Sequence, residues 1–386
     1  MLSNRIPPDL EPNALARARD DLGNVPYDLT VSNPTVCAIP YPPDLLEPLA
    51  SPAGLTYSPE PLGLRDARRA VAADYGLRGL DVDPERVVLA ASTSEAYGLL
   101  FKLLGDPGDV ALVPAPSYPL LHHLATLEGL RPIPYRLVLE DVWQPDVDAL
   151  GSERASVIVA VHPNNPTGSY LSARSADALV ESCAKAGAAL VVDEVFLDYP
   201  LVDGTATASF VGETRALTFC LGGLSKQVGL PQLKLAWIVV AGPEDAARHA
   251  LDGLAFVADQ YLSVATPVQL ALSKLLERGA AVRGAILARC RRNLDALARA
   301  AAGVAGVTLV RPQGGWCAIV RVPAVHNDEE LALDLLRRDG VAVHPGYFFD
   351  FPADGFFVVS LLPEPATFDA GVMRFLARFS PGSDPA

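Results

Sequence analysis

A succession of strongly apolar β-type runs, each ending in a loop or a helical stretch, constrains this chain more than any other feature. RVVLAA (86–91) precedes SEAYGLLFKLLG, and DVALVPAP (109–116) precedes YPLLHHLATLEG. SVIVAVHP (156–163) leads through a loop to SADALVESCAKAG; AALVVDEVF (188–196), RALTFCL (215–221) and LAWIVVAG (235–242) follow. Strands this apolar offer no polar face to water. The pattern predicts an α/β fold, with a mostly parallel sheet buried between helices. Residues from about 267 to 302 read as a long helix, and beyond them short strands alternate with helices, as in a smaller α+β domain. The expected organisation is an N-terminal segment (1–50) packing with the small domain, a large domain (51–280), and a C-terminal small domain (281–386). The tail SPGSDPA is expected to fray.

Charge narrows the partners. The net charge of −14 makes the chain a poor non-specific ligand for nucleic acid or an anionic membrane. Neither is expected as a partner. The five cysteines are scattered, without metal-ligand spacing, which predicts free thiols in a reducing cytoplasm and no metal. No apolar run approaches the length of a membrane span, and MLSNRIPPDLEP has no apolar signal core.

Ligands of parallel sheets sit at the C-terminal ends of the strands, so the residues there are the candidates. After RVVLAA come Ser92, Thr93 and Ser94, hydroxyls at a helix N-terminus, able to cap the helix or cradle an anion. Tyr118 follows the second strand, an aromatic face or simply a packing residue. Asn165, set between prolines, is a rigid amide or part of a turn. Asp193 ends an apolar strand, where an unpaired carboxylate is costly. GGLSKQVGLPQLKLAW (222–237) then carries two of only five lysines in the chain, Lys226 and Lys234, with Ser225 beside the first. A lysine in an apolar, glycine-bordered site has a lowered pKa and can attack a carbonyl. Taken singly, each feature has an ordinary structural explanation. Together they match the needs of pyridoxal phosphate: a lysine for the aldehyde, an aspartate for the ring nitrogen, an aromatic for the ring, and hydroxyls with a cation for the phosphate.

On these motifs the chain resembles the class I/II aminotransferases of the aspartate aminotransferase superfamily, the fold type I pyridoxal phosphate enzymes. The resemblance runs from Tyr57 and Arg68 through Ser92-Thr93-Ser94-Glu95 and Pro116-Ser117-Tyr118. It continues through Asn165-Pro166-Thr167-Gly168, Asp193-Glu194-Val195, Ser225-Lys226 and Lys234, Gly314-Gly315-Trp316 and His344-Pro345-Gly346. It implies a three-layer α/β/α large domain around a seven-stranded sheet, and a biosynthetic transaminase acting on an amino donor and a 2-oxo acid. Lys226 would carry the cofactor as a Schiff base and shuttle a proton. Asp193 would hold the ring nitrogen and Asn165 the phenolic oxygen. Tyr118 would stack on the ring, and Ser92, Thr93, Ser94, Ser225 and Lys234 would surround the phosphate. Tyr57 would reach the neighbouring site in a homodimer.

The departures are informative. Phe196 stands where the family has a tyrosine bonding the phenolic oxygen. Lys234 replaces an arginine, keeping the charge but losing the bidentate fork, and Gly223 replaces a serine. Val358 falls where the family places the arginine that clamps the substrate carboxylate, and residues 355–363 hold no basic residue. Arg321 and Arg337-Arg338 are the replacement candidates by region. Ser32, Asn165 and Val358 are the candidate substrate contacts, and the apolar C-terminal segment favours an apolar substrate side chain. His122, His123 and His344 read as structural. Trp316 and Phe348-Phe349 fit either the substrate side or the small-domain core. Other pyridoxal phosphate reactions (β-elimination, racemisation, decarboxylation, cyclisation) and a non-catalytic cofactor sensor are the competing readings.

Overall fold

The computed structural model describes residues 2–380 apart from Glu153, Ala206, Ser263 and His326, and describes no side chain for Gly151 or Ser152. The tail from Pro381 onward lies outside the described residues. The N-terminal segment supplies α1 (Ala14–Leu22) and β1 (Tyr27–Asp28). The large sheet is built from β2 (Val87–Ala90), β3 (Val110–Ala115), β4 (Arg131–Leu139), β5 (Trp143–Pro145), β6 (Val157–Val161), β7 (Ala189–Asp193), β8 (Thr218–Gly223) and β9 (Ala236–Ala241). Their spatial order is β2-β9-β8-β7-β6-β3-β4-β5. Only β9 and β5 run against the rest. The sheet therefore has one strand more than the expected seven. The extra strand, β5, is three residues long and doubles back on β4, burying Trp143 and Pro145.

Period-two alternation along these strands divides their side chains between two cores. Val88, Ala111, Val159, Val191, Phe219 and Ile238 face α3 (Thr93–Leu104), α4 (Leu120–Leu127) and α7 (Glu244–Asp259). Leu89, Leu112, Ile158, Leu190, Cys220 and Trp237 face α2 (Arg65–Leu77), α5 (Ala173–Ala186) and α8 (Thr266–Ala301). Each of these large side chains stabilises the fold by about 1.5–3 kcal/mol when fully withdrawn from water. Two apolar faces per strand explain why the runs read as continuous rather than alternating.

The C-terminal region contributes β10 (Thr308–Val310), β11 (Cys317–Arg321), α9 (Asp328–Asp334), β12 (Val341–Ala342), β13 (His344–Pro345), β14 (Phe356–Ser360) and α10 (Pro365–Ala377). An antiparallel sheet runs in the order β10-β11-β14-β13, and β1 pairs in parallel with β12. The N-terminal segment is thereby sewn to it. The Ser360 N–H donates to the Leu29 carbonyl (2.7 Å) and the Leu29 N–H to that of Ala342 (2.9 Å). α8 packs against both α2 and α10 and passes residue 280 without a break. Its buried Asn293 donates to the carbonyls of Leu361 (2.9 Å) and Pro363 (2.8 Å). No helix among the described residues is long and apolar enough to cross a membrane.

The loop after β6 shows how backbone freedom places a site residue. Gly168 has φ +67°, and a Cβ there would stand 2.4 Å from Pro312 Cβ and 2.5 Å from the Gly314 carbonyl. Its own carbonyl accepts from the N–H groups of Gln313 (3.0 Å) and Gly314 (2.8 Å). Gly168→Ala is expected to lower the midpoint of chemical denaturation, at a cost of about 2 kcal/mol from strain and crowding together.

Candidate active site

A cavity of about 490 Å³ opens at the C-terminal ends of the parallel strands, between the large sheet and the small one. The large-sheet side brings Thr93, Tyr118, Asn165, Asp193, Phe196, Ser225 and Lys226 to its wall. Ser32, Trp316, Cys317, His344, Phe348, Phe349, Val358 and Ser360 line it from the N-terminal segment and the small sheet. Strand ends scattered over 130 residues of sequence thus converge, as a parallel α/β sheet dictates.

Asp193 ends β7 and is 7% exposed. The Tyr97 hydroxyl donates to its Oδ2 (3.1 Å) and the Val195 N–H to its Oδ1 (3.1 Å). Burial pushes its pKa up to about 6, against the opposing pull of those two donors and of Lys226. Tyr97 lies one helical turn beyond Thr93 on α3, and burial holds its hydroxyl protonated and therefore a donor. Lys226 follows β8 on the one-turn α6 (Leu224–Gln227). Burial pulls its pKa down, while Cys317 and Asp193 act in the other direction. Its Nζ lies 5.0 Å from the Trp316 ring centroid and 5.8 Å from that of Phe196. Its carbonyl accepts from the Tyr199 hydroxyl (2.5 Å). An amine in such surroundings is readily neutral and nucleophilic.

The loop carrying Asn165 is braced from beneath. The Ser117 hydroxyl donates to Asn164 Oδ1 (3.0 Å), and Asn164 Nδ2 donates to the Pro116 carbonyl (3.1 Å) and Thr167 Oγ1 (2.9 Å). Asn164 is thus consumed by structure, and Asn165 faces the cavity. Glu194, the other carboxylate of the pair, points away. It accepts from Ser209 Oγ (2.7 Å) and the Phe210 N–H (2.7 Å), and burial raises its pKa to about 7.

A sequence profile for "Aminotransferase class I and II" matches residues 33–370. The chain belongs to the class I and II aminotransferases. The alanine aminotransferase of Mycobacterium tuberculosis is 30% identical over 364 residues, covering 90% of this chain and 83% of that one. The glutamate-pyruvate aminotransferase AlaA of Escherichia coli is 26% identical, covering 95% and 93%. Among solved structures, an alanine aminotransferase from Pyrococcus furiosus superposes with a TM-score of 0.84 at 24% identity, covering 95% of each chain. This shows the shared fold.

The aminotransferase is pyridoxal phosphate-dependent, and its cavity fits that cofactor. Asp193 spends its two recorded hydrogen bonds on Tyr97 and Val195 and still faces the cavity, with acceptor capacity for a protonated ring nitrogen. Lys226 could supply the amine for the aldehyde, and Thr93 and Ser225 line the cavity at helix starts, where their hydroxyls could meet a phosphate.

Not every candidate from the sequence reaches the wall. Ser92 caps α3, its Oγ accepting from the Glu95 N–H (3.1 Å), and neither it nor Ser94 lines the cavity. Lys234 is solvent-exposed and left-handed (φ 52°), two residues before Ala236, which does line it. Tyr57 is 65% exposed. Val358 lines the cavity, and no arginine lines it among the described residues. Neither Arg321, whose guanidinium lies 5.7 Å from the Phe356 ring centroid, nor Arg337 nor Arg338 lines the cavity; Arg338 pairs with Asp334 (2.9 Å). His344 lines the cavity, and Trp316, Phe348 and Phe349 line it while also joining or packing on the hydrophobic core. Tyr97, Tyr199 and Cys317 went unread. Tyr97 had a signal, its i+4 spacing from Thr93; the other two had none.

The raised pKa of Asp193 has a definite sign in stability. The folded chain holds the proton up to about pH 6, whereas the unfolded chain releases it near 3.8. This stabilisation is complete below about pH 4 and is lost as pH rises through 6, leaving a buried charge that costs about 3 kcal/mol at pH 8. Asp193→Asn is expected to raise the melting temperature of the cofactor-free protein at pH 8 and not at pH 4, while transaminase activity falls at least about 100-fold. Paired thermal scans and rate assays check both halves.

Proposed function

We propose that this aminotransferase exchanges an amino group between an amino acid with an apolar side chain and a 2-oxo acid. The observation that supports this substrate class is the wall facing Lys226, formed by Trp316, Phe196, Phe348, Phe349 and Val358 without a carboxylate or an arginine on the small-sheet side. Pyridoxal phosphate, when bound, supplies the aldehyde and the electron sink. Lys226 would take the proton from the substrate Cα, its amine's pKa lowered by burial. Asp193, steadied by Tyr97, would hold the ring-nitrogen proton. Asn165 would bond the phenolic oxygen alone, since Phe196 brings a ring and no hydroxyl. Tyr118 would cover the ring. Thr93 and Ser225 would hold the phosphate, with Ser92, Ser94 and Lys234 close by in the chain.

The same reading makes the enzyme a homodimer in which Tyr57 completes the neighbouring site. Tyr57 is exposed, as is Leu55 (92%) two residues before it, and Gly54 packs on Pro267 at the start of α8. This stretch is therefore accessible to a second copy of the chain. All five cysteines are free thiols, four of them buried, which suits the cytoplasm.

Rate measurements over a panel of amino acids test the substrate class. Phenylalanine or leucine is expected to exceed aspartate in kcat/KM by at least about 10-fold, the discrimination an apolar pocket affords against a buried, unpaired charge; a preference for aspartate or glutamate would refute the apolar reading. Lys226→Ala should abolish turnover, by about 1,000-fold or more. Tyr57→Phe should weaken cofactor retention by about 10-fold, the worth of one hydrogen bond to a charged group.

A further inference from the structure

β13 and β14 pair antiparallel with His344 directly opposite Val358, and both line the cavity. A histidine therefore stands across one strand from the position at which the family's arginine is missing. Apart from Lys226, it is the only basic side chain on the cavity wall among the described residues. A second donor stands on the same side. Trp316 is 3% exposed, lines the cavity, and leaves its indole N–H without a hydrogen-bond partner among the described residues. An unpartnered buried donor is costly unless a ligand satisfies it. The hydroxyl of Ser360, also on the wall, is already given to the Val31 carbonyl (2.5 Å) and offers less.

Resting on the aminotransferase reading above, we propose that His344 is the specificity-determining residue that binds the substrate carboxylate in place of an arginine, with the Trp316 indole N–H as its companion donor.

Its chemistry differs from an arginine clamp in one respect. Burial lowers the pKa of His344, opposed by Asp28 and by a backbone contact from Thr30, while Arg19 adds to the lowering. The titratable groups around it include Asp193, Lys226, Tyr118 and Cys317 on the cavity wall, Asp328 and Glu329 on α9 behind β13, and Tyr347 in the following turn; proton uptake that persists in His344→Gln would belong to Asp193 and would overturn the proposal. At pH 7.5, above this lowered pKa, the imidazole is neutral before a carboxylate meets it. A carboxylate placed against it favours the charged ring, so binding takes up a proton from solvent and weakens as pH rises. An arginine, charged at every accessible pH, would show neither behaviour.

The test uses the cofactor-loaded enzyme and 3-phenylpropanoate, an unreactive carboxylate, beside 3-phenylpropanol. Calorimetry at pH 7.5 in buffers of different ionisation heat gives affinity and proton uptake together. The expected result is a carboxylate preference of about 10-fold or more, the usual worth of a charge-assisted hydrogen bond, with proton uptake on binding. His344→Gln removes both and leaves the alcohol unaffected, and Val358→Arg in that background restores the preference without proton uptake. Retained cofactor absorbance shows that each variant is folded. Equal affinity of wild type for acid and alcohol, binding without proton uptake, or an unchanged His344→Gln would overturn the proposal. Failure of the aminotransferase reading is a separate outcome, visible as no turnover of any amino acid by wild type, because the calorimetry does not depend on turnover.

Discussion

The site rests on keeping a carboxylate and an amine buried at one cavity, each available to a ligand. Asp193 and Lys226 influence each other's ionisation, and each is pushed toward its neutral form by burial. The parallel sheet makes this arrangement affordable. Its strand ends supply rigid attachment points, and its helix starts supply donors where charge must be stabilised. Tyr97 brings a neutral hydroxyl from α3 to Asp193, and Tyr199 fixes the backbone of Lys226 from the opposite side. Both tyrosines serve atoms of the chain and leave the faces of the reactive groups open.

The wall opposite them is of another character. Phe196, Tyr199 and Trp316 pack edge to face at 5.2–6.5 Å, forming a rigid aromatic shoulder beside Lys226. Phe348 and Phe349 extend it toward His344, each 5.8 Å from the imidazole. Water is poorly accommodated on such a surface, so polar interactions there are strong and few. A substrate is oriented by a small number of donors, and losing any one of them is felt in full.

The large sheet was legible because strands buried on two sides must be apolar throughout, and six of them announce themselves that way. Asp193, Lys226 and Asn165 were legible because their residue types are out of place at the ends of such strands. Strand β5 was not, since WQP is too short to show a period and carries a proline. The hydroxyls at Ser92 and Ser94 could not be separated from capping by sequence, and Ser92 does cap. Tyr97 and Tyr199 look like ordinary core residues because a buried aromatic reads the same whatever its hydroxyl touches. The place of His344 on the cavity wall could not be read either: it pairs across the sheet with Val358, fourteen residues away, and register between short strands is set by tertiary packing.

The bond between Ser360 and Val31 spans 329 residues of sequence. The N-terminal segment and the small sheet together close this side of the cavity, whereas Asp193 ends, and Lys226 follows, strands of a sheet completed by residue 241. During synthesis the reactive half can therefore assemble while the selective half is still being made, since early segments fold before late ones emerge. A nascent chain halted before residue 316 would hold Asp193 and Lys226 but none of Trp316, His344, Phe348, Phe349 and Val358. The small-sheet side of the cavity is thus completed after its reactive side.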